Sequence, residues 1–203
     1  MTTLLVIAKE PRPGRVKTRL TPPFTPEEAA ALAEASLADT LDAVARTPAR
    51  RRVLVLDGTP GPWLPAGFEV VPQCAGGLDE RLAEAFAGCA GPTLLIGMDT
   101  PQVTPDLLTV DWDGHDAFFG PAEDGGFWAL GLAEPDPARL RGVPMSTAHT
   151  GAAQRARLAD LRVRDLPCLR DVDTAYDAGL VAEGAPGGRF AKALARLTTE
   201  AGR

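Results

Sequence analysis

The 203-residue chain has few of the side chains on which several enzyme classes depend: three cysteines, two histidines and two serines. Cys74, Cys89 and Cys168 are widely spaced, which indicates neither a disulfide framework nor a Cys-x-x-Cys zinc site, so we expect buried thiols. Two serines and two histidines leave few ways to build a Ser-His-Asp triad or a histidine-rich metal site. The composition therefore argues against hydrolases that use such groups.

The sequence also lacks an excess of positive charge and a long apolar run. Its 21 lysines and arginines against 27 aspartates and glutamates give a net charge of −6, which argues against a protein that coats nucleic acid. The longest uncharged run, residues 85–98, contains glycines and a proline and is shorter than the roughly 20 apolar residues of a membrane span. Without the pattern of a signal peptide at its start, the chain is expected in the cytoplasm.

The length predicts one domain, residues 1–183, followed by a linker and a C-terminal helix, residues 184–203, that packs on it or extends from it. Apolar runs and helical patterns alternate along the chain, which predicts an α/β fold with a mostly parallel sheet and helices on both faces. We expect strands at 4–8, 53–56, 68–71, 93–97, 117–119, 127–130 and from 163, and helices at 26–46, 78–89, from 105, 146–161, from 174 and around 190–197. Ligands of such sheets bind beyond the carboxyl ends of the strands.

Five cations lie within eleven residues directly after the first predicted strand: Lys9, Arg12, Arg15, Lys17 and Arg19. At that position guanidinium and ammonium groups, together with backbone N–H groups, can bind a phosphate. The alternative is a solvated basic loop. A P-loop is excluded because Gly-Lys-Thr is not contiguous and the upstream glycine is missing.

Acidic residues follow three other predicted strands. Asp99 comes directly after a buried strand, where its carboxylate could bind Mg²⁺ together with substrate phosphates, or cap a turn. Asp171 and Asp173 precede a predicted helix cap, where they suit a ligand site or simply the helix dipole. The segment 123–126, Glu-Asp-Gly-Gly, suits either a close backbone approach to a ligand or a tight turn.

Four ordered segments, 8–20, 97–101, 120–127 and 169–174, resemble a glycosyltransferase-A-like family of bacterial proteins related to the 2-phospholactate guanylyltransferases. The resemblance implies a Rossmann-like nucleotide-diphospho-sugar transferase fold that binds a nucleotide at the carboxyl edge of its sheet. It also implies that Asp99 and Asp173 hold Mg²⁺ or Mn²⁺ on the phosphates of the donor. The sequence departs from the family pattern at Met98, Phe127 and Met145, where serine, tyrosine and tryptophan are usual.

Our leading hypothesis is a metal-dependent transferase that moves a glycosyl group from a nucleotide-sugar to a small-molecule acceptor. Lys9, Arg15, Lys17 and Arg19 would bind the nucleotide phosphates. Glu123 or Asp124 would orient or deprotonate the acceptor hydroxyl, with Gly125 and Gly126 close to the substrate. The alternatives are a nucleotidylyltransferase that releases pyrophosphate and a non-catalytic nucleotide-binding or scaffold protein.

Overall fold

The computed structural model describes residues 1–200, which form seven strands and six α-helices. The strands are β1 (Thr3–Lys9), β2 (Arg51–Asp57), β3 (Glu69–Pro72), β4 (Thr93–Ile96), β5 (Ala117–Pro121), β6 (Phe127–Leu132) and β7 (Val163–Asp165). The helices are α1 (Pro26–Arg46), α2 (Leu78–Ala87), α3 (Pro105–Leu108), α4 (Thr150–Ala156), α5 (Ala175–Gly184) and α6 (Arg189–Glu200). None of the helices in this part of the chain is long and apolar enough to cross a membrane.

All seven strands form one sheet in the order β3-β2-β1-β4-β6-β5-β7. The pairs β1–β2, β1–β4, β2–β3 and β5–β7 are parallel, and β6 runs antiparallel to both β4 and β5. The parallel strands therefore end at a common edge. The predicted α/β architecture with a mostly parallel sheet is confirmed.

Helices cover both faces of the sheet because alternate residues of its strands point to opposite sides. Leu4 and Val6 of β1 pack in a core cluster with Leu41 of α1, whereas Leu5 packs in a second cluster with Phe86 of α2. Each of these side chains is almost fully buried. Burial of such a side chain is worth about 1.5–3 kcal/mol, so the central strands fix the position of the sheet edge.

Helix α1 spans the predicted range because its ends are encoded locally. The Thr25 hydroxyl accepts a hydrogen bond from the Glu28 N–H, and the Glu28 carboxylate accepts one from the Thr25 N–H. Pro26 occupies the first helical turn, where a missing N–H costs nothing. At the other end, the Arg52 guanidinium donates to the carbonyls of Val44 and Thr47. These contacts satisfy backbone groups that a helix end leaves without partners.

The predicted helix over residues 146–161 is wrong in extent, since only α4 is helical within it. Ser146 has a φ of 58°, in the left-handed region, and so cannot begin the helix as its cap. The Thr150 hydroxyl donates to the Pro144 carbonyl and accepts from the Thr147 N–H, which folds the segment back on itself. The expectation of buried thiols is also wrong: Cys74 and Cys89 are half-buried, and Cys168 is exposed.

The C-terminal helix α6 packs on the rest of the chain. The buried side chains of Phe190 and Leu194 lie in one cluster with Leu32 of α1 and Val181 of α5. The Asp39 carboxylate of α1 accepts hydrogen bonds from the first two N–H groups of α6, at 2.9 Å each. The last three residues of the predicted segment 184–203 lie outside the described residues.

Candidate functional site

A cleft of about 750 Å³ opens at the carboxyl edge of the sheet, within the usual range for a small-molecule site. It lies where the chain leaves β1 and β4, and the segments between β5 and β6 and before α4 form its other wall. Eight of the ten predicted site residues line it: Lys9, Arg15, Lys17, Arg19, Asp99, Asp124, Gly126 and Asp173. Residues from four distant parts of the sequence therefore meet at the predicted edge.

The basic loop, residues 9–20, begins at the last residue of β1, and Val16 and Leu20 hold it against α1. Val16 packs with Ala30 and Ala33, and Leu20 is fully buried in the cluster below the loop. Since these side chains point inward, the neighbouring cations face the cleft. Within residues 1–200, neither Lys9 nor Arg15 forms an ion pair, so both charges are available to a ligand.

Lys17 and Arg19 of the loop contact the carboxylates that were predicted to bind metal. Lys17 Nζ lies 2.8 Å from Asp99 Oδ1 and 3.6 Å from Asp173 Oδ1. Arg19 Nη2 lies 3.0 Å from Asp173 Oδ2. The Val172 N–H donates to the Asp99 carbonyl at 3.0 Å, which ties the segment before α5 to the end of β4. The two aspartates therefore share one ammonium group although they are far apart in sequence.

Asp171 is a cleft residue that the sequence analysis left undecided. Its Oδ1 atom is buried and has no hydrogen-bond partner among the described residues. Burial, followed by the charges of Asp99 and Asp124, raises the pKa of this carboxyl to about 7 against the opposing effect of Lys17. Asp171 and Asp173 both line the cleft, whereas Val172 between them is buried. Residues two positions apart in extended backbone lie on the same side of the chain. That spacing is the sequence feature that could have identified Asp171.

The carboxylates of the cleft fit the divalent cation that the fold family implies. Asp99, Asp171 and Asp173 supply only oxygen donors, which Mg²⁺ and Mn²⁺ prefer. Within residues 1–200, the buried Asp171 Oδ1 atom has no hydrogen-bond partner, and a bound cation would supply one. In the described part of the chain, no three His, Cys, Asp or Glu side chains are grouped closely enough to hold a metal ion alone. Phosphate oxygens of a donor would have to complete the coordination.

The turn between β5 and β6 separates the two acidic residues that were predicted to act on the acceptor. Asp124 lines the cleft, and its Oδ1 accepts a hydrogen bond from the Gly126 N–H at 2.8 Å. Glu123 lies outside the cleft lining and forms an ion pair with Arg170, which also binds Asp177 at 2.9 Å. Only Asp124 is brought to the other candidate residues.

Gly125, predicted to lie near the substrate, holds the wall of the cleft instead of lining it. It has a φ of +88°, and its carbonyl accepts a hydrogen bond from the Gly151 N–H at 2.7 Å. A Cβ atom at this position would lie 2.1 Å from the Ala148 carbonyl oxygen. The glycine therefore permits the close approach of the segment before α4.

Gln73 and Arg81 are polar residues of the cleft that were not predicted from the sequence. Gln73 follows β3, and its side-chain amide donates to the Ala8 carbonyl at 2.7 Å. Arg81 of α2 donates to the Gln73 side-chain oxygen at 3.3 Å. The position of Gln73 directly after a strand that ends at the same edge could have identified it. These residues give the β3 side of the cleft its polar groups.

Two of the departures from the family pattern are accommodated by local contacts. The Met98 sulfur accepts a hydrogen bond from the Lys9 N–H at 3.2 Å, and the Met98 carbonyl accepts one from the Ser36 hydroxyl. Phe127 lies half-buried in the cleft wall with its ring 5.7 Å from that of Phe119. Both departures are therefore compatible with an intact cleft.

A bacterial protein family and several solved structures are similar to this chain. The family described as uncharacterized proteins conserved in bacteria (DUF2064) matches residues 30–147. The sequence matches none of the curated proteins. A protein of Desulfovibrio desulfuricans, provisionally named a nucleotide-diphospho-sugar transferase, is 26% identical, with 98% of this chain and 95% of that chain covered and a TM-score of 0.84.

Two more distant structures share the fold. Rv0371c of Mycobacterium tuberculosis, in a complex with manganese, is 22% identical, with 90% of this chain and 97% of that chain covered and a TM-score of 0.55. The 4-diphosphocytidyl-2C-methyl-D-erythritol synthase of Anaerococcus prevotii is 11% identical, with 98% and 96% covered and a TM-score of 0.55. The chain therefore has the fold of nucleotide-diphospho-sugar transferases, which nucleotidylyltransferases share.

Proposed function

The chain belongs to the DUF2064 family of bacterial proteins, and from that premise we propose that it is a metal-dependent transferase that moves a glycosyl group from a nucleotide-sugar to a small-molecule acceptor. One observation supports this reaction best. The basic loop, the pair Asp99 and Asp173, and the Asp124 carboxylate line a single cleft at the carboxyl edge of the sheet. Phosphate-binding, metal-binding and proton-accepting groups thus lie within reach of one substrate complex.

Donor phosphates would bind at the basic loop. Lys9 and Arg15 face the cleft and form no ion pair within residues 1–200, so a phosphate can bind them without displacing a protein carboxylate. The Arg15 guanidinium can donate two parallel hydrogen bonds to one phosphate group. When bound, a divalent cation on Asp99 and Asp173 would offset the charge that develops on the leaving diphosphate.

Asp124 would orient the acceptor hydroxyl and accept its proton. The acceptor oxygen then bonds to the anomeric carbon while the bond from that carbon to the diphosphate breaks, and the nucleoside diphosphate leaves. The Gly126 N–H fixes one oxygen of Asp124, and no hydrogen bond or ion pair within residues 1–200 engages the other, which leaves it available for the acceptor. Glu123 is unsuited to this role, since its carboxylate binds Arg170 outside the cleft lining.

Nucleotidyl transfer is the second candidate, and the four cations of the basic loop that line the cleft favour it. A nucleoside triphosphate carries more negative charge than a nucleotide-sugar, and Lys9, Arg15, Lys17 and Arg19 all line the cleft. In that reaction an anionic acceptor attacks the α-phosphate, pyrophosphate leaves, and no general base is required. The distant likeness to a 4-diphosphocytidyl-2C-methyl-D-erythritol synthase agrees with this candidate at the level of the fold.

Phosphorus NMR of the products distinguishes the two reactions. The purified protein is incubated with Mn²⁺ and either a panel of nucleotide-sugars or a panel of nucleoside triphosphates, with water as a slow acceptor. Glycosyl transfer predicts a nucleoside diphosphate from one nucleotide-sugar, and nucleotidyl transfer predicts pyrophosphate from one triphosphate. If the protein releases neither product and binds no nucleotide, both proposals are wrong and a scaffold role is favoured.

A further inference from the structure

Lys17 occupies the place between two carboxylates where a bound cation is expected. Its side chain is only 7% exposed, and its Nζ lies 2.8 Å from Asp99 Oδ1 and 3.6 Å from Asp173 Oδ1. The backbone of Lys17 is in the left-handed region, with a φ of 48°, which is uncommon for a residue other than glycine. Lys9 lines the same cleft and forms no ion pair within residues 1–200. The two lysines therefore differ in their partners rather than in their charge.

A divalent cation and the Lys17 ammonium cannot both occupy the space between Asp99 and Asp173. Like charges repel strongly at such distances, and the partial burial of the site weakens screening by water. A metal ion can therefore bind these oxygens only if the ammonium moves away. That movement needs a new partner for a charge that is otherwise nearly enclosed by protein.

We propose that Lys17 is an internal cation that competes with the divalent metal for Asp99 and Asp173 and moves to the donor's phosphates when the donor binds. In the free protein the ammonium partly neutralises the two carboxylates and keeps the affinity for metal low. A donor phosphate supplies the new partner, so metal and donor bind cooperatively. This inference rests on the proposed function, because it requires a donor that contains phosphate.

Mn²⁺ binding without any nucleotide tests the competition directly. Free Mn²⁺ is measured by electron paramagnetic resonance for the wild type, Lys17→Met and Lys9→Met. Both variants lose one positive charge from the same cleft, so the Lys9 variant controls for the general electrostatic field. We expect Lys17→Met to bind Mn²⁺ about tenfold more tightly than Lys9→Met, which corresponds to about 1.4 kcal/mol. Equal affinities, or weaker binding by Lys17→Met, would overturn the inference.

Two further measurements keep the test decisive. If Lys17→Met does not fold, Lys17→Gln replaces it, since its amide can still donate to Asp99 without a charge. Crystals of the wild type with MnCl₂ and pyrophosphate, compared with crystals that contain neither, should show Lys17 Nζ leaving Asp99 when the metal binds. An Nζ that stays within hydrogen-bond distance of Asp99 beside the bound metal overturns the inference. An absence of Mn²⁺ binding by the wild type and by every variant also overturns the inference. The proposed transfer is tested separately, by the nucleoside diphosphate or pyrophosphate that phosphorus NMR detects.

Discussion

Substitution of Gly125 by alanine should strongly destabilise the wall of the cleft. An alanine at a φ of +88° costs about 1–2 kcal/mol. Its Cβ would lie 2.1 Å from the Ala148 oxygen and 2.8 Å from the Ala148 carbonyl carbon, so backbone must move. Overpacking of this kind costs about 1–3 kcal/mol, and loss of the Gly151 hydrogen bond adds about 0.5–1.5 kcal/mol. We expect a total loss of about 2.5–6.5 kcal/mol.

Gly67 provides the matched control for this prediction. It has a φ of +89° and no atom within 4 Å of an added Cβ, so Gly67→Ala should show the backbone cost alone. Urea unfolding of both variants measures the free energy of unfolding, with the slope m checked for equality. Gly125→Ala should be less stable than Gly67→Ala by about 1.5–4.5 kcal/mol, a difference of about 3–18 °C in melting temperature. Equal stabilities of the two variants would refute the assignment of Gly125 to a close backbone contact.

Two other predictions concern acidic residues. Asp124→Asn keeps an oxygen that accepts the hydrogen bond from the Gly126 N–H, so donor binding should be unchanged while turnover falls about 10²–10⁴-fold. Calorimetry measures the donor binding and steady-state kinetics measure the turnover. Unchanged turnover would exclude Asp124 as the base. The side-chain and backbone hydrogen bonds from Arg162 hold the pKa of Asp116 well below its usual value. In the unfolded chain an aspartate has a pKa of about 4. A carboxyl whose pKa is lower in the folded state stabilises the fold above that pH, and the stabilisation is lost as the pH falls below it. Urea unfolding between pH 6 and pH 3 should therefore show a smaller loss for Asp116→Asn than for the wild type, and parallel losses would contradict this cause.

The sequence predicted the bounds of those elements whose ends depend on residues nearby in the sequence. Helix α1 was predicted with its observed bounds, because the Thr25–Glu28 capping box and Pro26 act over four residues. The segment 146–161 was not, because the left-handed Ser146 and the bond from Thr150 to Pro144 depend on how the chain folds back. A helical pattern of apolar residues carries no information about such contacts.

The sequence predicted the segments that form the cleft and most of its candidate residues, but not the partners of individual side chains. Strand ends at a common edge bring the basic loop together with Asp99 and Asp173, and that follows from parallel topology. Adjacent acids such as Glu123 and Asp124 have the same sequence pattern, and their separation depends on Arg170, 47 residues further along the chain. The contact of Lys17 with Asp99 likewise requires the fold, since both a phosphate and a carboxylate suit an ammonium group.

The proposed reaction requires a nucleotide donor and a divalent cation to bind together at the carboxyl edge of the sheet, and thermal unfolding with ligand measures this. The wild type and Asp99→Asn are heated with nucleotide-sugars or nucleoside triphosphates, with and without Mn²⁺. A donor at 100 times its Kd adds about 2.7 kcal/mol to stability, or about 5–10 °C at this chain length. We predict such a shift for the wild type with one donor and Mn²⁺, and its loss in Asp99→Asn. A shift that needs no metal and persists in the variant, or no shift with any nucleotide, would show that donor and metal do not bind together at this site.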